Sequence, residues 1–267
     1  MSSPARPSLL ARILLAAGMG ILAESHPSAG QERLPAHIPR SVLLLDGARP
    51  FFAQDGFGAI TSVWDATLAV PATPTVSVFA RLGFTLVEFR DRRTSAVSRP
   101  RLGVILERWW GGLEAHVDLG AWGELDEATL VGAIADIERA ERYGVTGWAA
   151  GASVAPEWSL PDESTLQARA GLNVLKAGEG GDDELMLVGA LAWRPVFESV
   201  RLTIEPSVLW NVTSDDGLDE SSVTSATLGA QLHRVAGAPE LYVRVPLDDD
   251  LQDALDLVLG VRARVGG

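Results

Sequence analysis

The chain has 267 residues, 47% of them hydrophobic, with 22 Lys+Arg against 35 Asp+Glu for a formal charge of -13, and no cysteine. The hydrophobic share excludes a disordered chain, and the missing cysteines exclude a disulfide scaffold, a zinc ribbon and a thiol enzyme. Lys176 is the only lysine, and with no surplus of basic charge to neutralise phosphates, a nucleic-acid partner is not expected.

Arg6 and Arg12 precede the apolar stretch Ile13 to Leu22, and small or polar residues follow through Ser25, Ser28, Ala29 and Gly30. This is the pattern of a secretory signal peptide over residues 1–25, with cleavage as late as residue 30 as the other acceptable position. The stretch is too short for a membrane helix, which needs roughly 20 residues, and no other segment is long enough. Residues 26–40 read as a periplasmic linker, and 41–267 as one β domain.

From residue 58 the dominant signal is alternation with period two, the mark of strands with one apolar face. A weak first strand is expected around Ser41 to Asp46, with Gly47 to Phe57 as its loop, followed by a strand at 59–70. Over 76–86, Val76, Val78, Ala80, Leu82, Phe84 and Leu86 alternate with Ser77, Phe79, Arg81, Gly83 and Thr85. A long connection at 91–100 leads to a strand at 101–109. In 113–124, Leu113, Ala115, Val117, Leu119 and Ala121 oppose Glu114, His116, Asp118, Gly120, Trp122 and Glu124. The longest connection, 125–142, carries Asp126 and Glu127, then Leu130, Ile134 and Ile137 at helical spacing, then Arg139 and Arg142. Acids first and arginines last are the charge signals of a short helix, read either as a loop closure or as a lid or plug over a pore mouth.

A strand at 144–158 follows. Over 165–174, Leu166, Ala168, Ala170, Leu172 and Val174 oppose Thr165, Gln167, Arg169, Gly171 and Asn173. After a strand at 184–194, residues 200–212 set Val200, Leu202, Ile204, Pro206, Val208, Trp210 and Val212 against Arg201, Thr203, Glu205, Ser207 and Asn211. Strands at 224–234 and 240–246 precede the last, where Leu255, Leu257, Leu259, Val261, Ala263 and Val265 face away from Asp256, Arg262 and Arg264.

Across the five alternating segments the apolar frame holds no charge, while the opposite frame holds Arg81, Glu114, Asp118, Glu124, Arg169, Arg201, Glu205, Asp256, Arg262 and Arg264. Many segments reach the roughly 9–11 residues that a tilted strand needs to cross hydrocarbon, against about 5–6 in soluble proteins. Connections also alternate: short at Pro71–Pro74, Gly111–Gly112, Leu160–Asp162, Pro195–Val196 and Ala236–Ala238, and longer in between. An up-and-down barrel with tight periplasmic turns and extended outer loops requires that rhythm. A soluble periplasmic sandwich shares the period but has no reason for the rhythm. The expected fold is all-β, an antiparallel up-and-down transmembrane β-barrel of about twelve strands, ten as the alternative, with a short helix in one long extracellular loop.

The export signal, the alternating strands and the final strand resemble the bacterial outer-membrane β-barrel superfamily. The size is coarsely similar to the small barrels associated with uptake of aromatic compounds. The resemblance implies a Gram-negative outer-membrane location, outer-membrane lipid as a partner, and a porin-like channel or transporter for a small-molecule solute. A non-conducting structural or surface-binding barrel and a lipid hydrolase are the alternatives. Trp109, Trp110, Trp158 and Trp193 fall near the expected lower strand ends and Trp122, Trp148 and Trp210 near the upper, where interfacial girdles sit; Trp64 falls mid-strand.

The candidate pore-lining residues are those of the polar frame: Asp65, Arg81, Glu114, His116, Asp118, Gln167, Arg169, Asn173, Arg201, Glu205, Gln231 and Arg262. They mix both signs where an ion-selective ring would hold one, which allows ion pairs across the lumen. His116 and His233 both lie on the polar frame, whereas membrane-barrel lipid hydrolases resemble one another in presenting Ser and His at the lipid face, so no enzyme is expected. No P-loop, G-x-S-x-G elbow or dinucleotide fingerprint occurs, and no cofactor is expected. The clusters Asp182-Asp183-Glu184, Asp215-Asp216 with Asp219-Glu220, and Asp248-Asp249-Asp250 match no calcium loop and read as solvated charge, with no metal site.

Overall fold

The structure, a computed structural model, describes residues 41–53, 56–90, 92–120, 127–135, 147–176, 183–213 and 222–265. The expected signal peptide and linker lie outside these residues, as do Trp122, Glu124, Asp126, Ile137, Arg139, Arg142 and the acids at 182, 215, 216, 219 and 220.

Strands β1 (Val42–Phe52), β2 (Ser62–Thr73), β3 (Val76–Phe89), β4 (Arg92–Val97), β5 (Arg101–Arg108), β6 (Gly111–Asp118) and β7 (Trp148–Ser159) follow one another, with helix α1 (Glu127–Ala135) between β6 and β7. Then come β8 (Thr165–Lys176), β9 (Glu184–Arg194), β10 (Val196–Phe197), β11 (Val200–Asn211), β12 (Ser222–Leu232), β13 (Glu240–Pro246), helix α2 (Asp249–Gln252) and β14 (Leu255–Val265). Sequence neighbours pair antiparallel, β9 pairs β11 directly, and β14 returns to β1 from Leu43↔Val265 to Phe52↔Leu255. The sheet therefore closes. β4 continues β5 upward along β3, and β10 is a two-residue ladder inside a turn, which leaves a wall of 12 strands. Strands of 11 to 14 residues tilted by roughly 40° rise about 27–35 Å, enough to span a hydrocarbon core.

Period-two alternation makes one face of each strand apolar, and closure decides that this face points out. Leu45, Leu68, Val78, Leu82, Leu102, Val117, Leu172, Leu191, Ile204, Val208, Leu228 and Val261 are all exposed, while Thr67, Ser77, Arg81, His116, Arg169, Asn173, Glu205 and Thr227 are buried. In water so wide an apolar surface is an aggregation liability; against lipid tails it is the stable exterior. Trp64, out of place as a girdle residue, is outward and lies over Gly47 of the neighbouring strand, where any Cβ would collide with its ring.

Several expected boundaries change. The first strand does not stop at Asp46 but runs to Phe52, because β14 continues pairing with it. Most of the connection expected at 91–100 is strand: β4 pairs β3 up to Phe84↔Val97, one extra residue bulges at Ser98–Pro100, and the strand resumes as β5 at Arg81↔Arg101. Leu255 is buried instead of outward, because the β1–β14 register shifts between Phe51↔Leu257 and Phe52↔Leu255, and Asp256 bulges into solvent. Asp248 caps α2, its Oδ1 accepting from the Leu251 N–H at 3.1 Å, so one of the acidic clusters has a local structural task. In the β7–β8 turn, Asp162 Oδ1 accepts from the Ser164 hydroxyl and N–H, which holds its carboxyl below the ordinary range.

Replacing Leu82 with Arg should cost about 2–4 kcal/mol of folding free energy in lipid, and Val265 with Arg at the lower rim about 0–1 kcal/mol. Urea titrations of the barrel in vesicles read both, and equal costs at the two positions would overturn the placement of Leu82 in the belt.

Candidate functional site inside the barrel

Of the twelve expected residues, Arg81, His116, Asp118, Gln167, Arg169, Asn173, Glu205, Gln231 and Arg262 are buried and Asp65, Glu114 and Arg201 are half-buried. Arg101 on β5 grips Asp118 on β6 with two bonds, Nε to Oδ1 at 2.7 Å and Nη2 to Oδ2 at 2.5 Å, both side chains 0% exposed. Arg81 donates from Nε to Thr67 Oγ1 at 2.7 Å, with Asp65 Oδ1 3.6 Å away. Arg194 donates to Gln167 Oε1 at 2.8 Å and lies 3.8 Å from Glu157. Arg262 bonds Asp46 and Glu240. Arg201 and Gln231 are cross-strand partners near the lower end.

The Arg194–Glu157 pair spans β8, and three further contacts skip a strand, each over a small residue. Arg169 on β8 reaches Glu205 on β11 at 4.0 Å across β9, where the ladder partner of Arg169 is Ala190 and the buried Ala192 lies two residues along. His116 on β6 and Asn173 on β8 converge over Gly151 of β7, where a Cβ would collide with both, and Glu114 Oε1 lies 3.8 Å from His116 Nδ1. Tyr242 on β13 reaches Asp46 on β1 over Gly260 of β14. These contacts join adjacent or next-nearest strands. Each lies along the wall, where a side chain one or two strands away, about 5–10 Å, is within reach.

The upper interior, at the end away from the tight turns, is apolar. Met186, Val188, Leu209 and Val223 form one inward cluster, and Leu251, Leu255, Val258, Ala48 and Phe52 another. Helix α1 fills this space. Ile134 and Leu130 pack on the Val258 cluster, Ala133 and Ala135 on Val63, and Ala128 and Val131 on Val87, Phe52, Phe57 and Phe89. Ala and Leu with Glu127 in the first turn suit a helix, but nine residues are too few to be stable in isolation. Packing inside the barrel supplies the difference. Of the two readings of this segment, the described helix sits within the barrel rather than looping above it. Ala135 at its tip borders a small cavity of about 10 Å³ with Asp46, Asp65, Tyr242 and Arg244.

Missing from the expected set were Asp46, Arg101, Glu157, Arg194, Glu240, Tyr242 and Arg244, and the apolar inner ring. Glu240, Tyr242 and Arg244 alternate with Leu241, Val243 and Val245, so a stricter count of that strand finds them. The inner ring has its own signal in runs such as Leu185-Met186-Leu187-Val188 and Leu257-Val258-Leu259, where both frames turn apolar. His233 lies at the lower end, half-buried, beyond β12. Among the described residues no group of His, Cys, Asp and Glu is placed to hold a metal ion.

No known family model matches this chain, and no curated protein matches it. Among solved structures, an outer membrane channel from Pseudomonas putida F1 aligns over 91% of this chain and 99% of its own, with a TM-score of 0.58 and 12% identity. The fold is that of a bacterial outer-membrane β-barrel. The translocator domain of the autotransporter NalP from Neisseria meningitidis aligns more loosely, over 97% and 95%, with a TM-score of 0.44 and 13% identity. In an outer-membrane barrel the outward frame is the lipid belt, and every group described above as inward is screened from lipid by the wall.

Removing one partner of a buried ion pair is costly because the other charge stays buried. Asp118→Leu should destabilise the barrel by about 3–5 kcal/mol, while Arg101→Met with Asp118→Leu should recover most of that loss. Denaturant titration of both variants checks this; equal losses in the single and double variants would show that the pair's charge is not what matters.

Proposed function

We propose that the protein is a channel or transporter for a small solute, with α1 as its gate and the long connections on the outer side. The observation that supports this most directly is the division of the interior. The described ion pairs join adjacent or next-nearest strands, while α1 packs on inward apolar residues of the upper interior. Burial of Val131 and Ile134 contributes about 1.5–3 kcal/mol each, so a state with α1 withdrawn is populated on the order of 1% or less without ligand. The channel is then mostly closed at rest. Withdrawal would expose an apolar upper wall above a polar lower one, which suits a solute with an apolar body. The second reading, a non-conducting structural barrel, draws on the same filled interior and predicts that emptying it opens nothing. The lipid-hydrolase reading gains no support, since His116 projects inward, away from lipid.

The absence of cysteine makes a clean test possible. Val63→Cys with Ala135→Cys should form a disulfide that locks α1 in place, abolishing conductance in planar bilayers until a reductant is added. Deletion of 127–135 should give a permanently open pore. A folded deletion variant that stays silent would favour the structural barrel.

A further inference from the structure

The β1–β14 ladder joins the first and last strands of the wall, and it is the pairing that turns a sheet into a barrel. On its inward face Arg262 donates from Nε and Nη2 to Asp46 Oδ2 at 3.1 and 2.9 Å, and from Nη1 to Glu240 Oε2 at 3.0 Å. The Tyr242 hydroxyl donates to Asp46 Oδ1 at 2.9 Å. To do so its ring crosses β14 at Gly260, the position where a Cβ would collide with it, and the Arg262 guanidinium stacks on the ring 4.5 Å from its centroid. All four side chains are buried.

A ladder does not by itself choose its register. A slip of two residues keeps every side chain on its own face, and the outward pairs at the lower part of this seam, Leu43↔Val265 and Leu45↔Ala263, are apolar and nearly interchangeable. One such slip would set Asp46 opposite Arg264, which still offers a guanidinium, so the ion pair alone does not discriminate. Tyr242 does. It is held by β13, whose pairing with β14 places it over Gly260, and it meets Asp46 only in the native register. A slipped seam would leave Asp46 without this hydroxyl and would separate Arg262 from Asp46. A hydrogen bond to a charged group is worth more than an ordinary one, about 1.5–3 kcal/mol, and both would be forfeited together.

We propose that Asp46, Arg262, Glu240 and Tyr242 form a latch that selects the register in which the barrel closes, with Tyr242 over Gly260 as its discriminating part. The inference is independent of whether the barrel conducts. Two cysteine pairs read it in the full chain refolded into vesicles. Leu45→Cys with Ala263→Cys bridges the native register, and Leu45→Cys with Val265→Cys bridges the slip. With the latch intact, oxidation should link only the native pair. In Tyr242→Phe, Gly260→Ala and Asp46→Asn backgrounds the slipped link should rise about tenfold or more, the factor expected from losing one charged hydrogen bond. Asp118→Asn, which breaks a buried pair on β5 and β6, should lower stability without any slipped link. If Asp46→Asn does not fold, Tyr242→Phe decides, since it removes one oxygen atom. Native-only linkage in both Tyr242→Phe and Gly260→Ala would overturn the latch, and so would an equal slip in Asp118→Asn.

Discussion

In hydrocarbon an unpaired peptide N–H or C=O has no water to turn to, and each one costs several kcal/mol. For a chain that crosses with strands, this means that every edge must find a partner, and β1 must therefore meet β14 across the whole length of the chain. The rest of the molecule depends on that closure. It gives the apolar frame one outside to face and encloses the polar frame. It also sets the curvature that brings side chains of next-nearest strands into contact. Small residues at Gly151, Gly260 and Ala190 are where the wall lets such contacts pass, so that buried charges are compensated without extending into the space between opposite walls.

The interior follows from the same economy of polar groups. Its lower and middle levels carry the charges, and nearly every one with a described partner finds it within the wall. At its upper level the inward frame turns apolar, and an apolar helix occupies the space. A nine-residue helix buried on most of its surface owes its conformation to its surroundings, so its formation and its lodging in the barrel are one event. The gate proposed above draws on that coupling. A helix held by many ion pairs would be harder to release.

The strands were legible in the sequence wherever one frame was strictly apolar, as at 76–86 and 200–212, because facing lipid on one side leaves no room for exceptions. Legibility failed where the chain departs from a plain ladder. Ser98–Pro100 and Asp256 each insert an extra residue, and a frame read through a bulge inverts beyond it, which is why Leu255 was assigned to the wrong face. Polar residues at 91–97 read as a loop, since β4 lies at the barrel's upper edge, where the requirement for an apolar outer face lapses. The polar frame was legible as a set of alternate residues; the partners were not, because Arg101, Arg194 and Asp46 carry no local mark of whom they meet.

The sequence by itself determined the period, the strand lengths and the alternation of short and long connections, because each is a local consequence of crossing a thin apolar layer and returning. From these came a barrel and its approximate strand number. Only the tertiary structure decided how the barrel is filled and where it is fastened. Whether the segment at 127–135 lies over the mouth or within it depends on inward apolar residues from strands up to about 130 positions away, such as Val63 and Val258. The meeting of Asp46 with Arg262 and Tyr242 likewise depends on a closure that brings the two ends of the chain together, and no pattern of neighbouring residues records it.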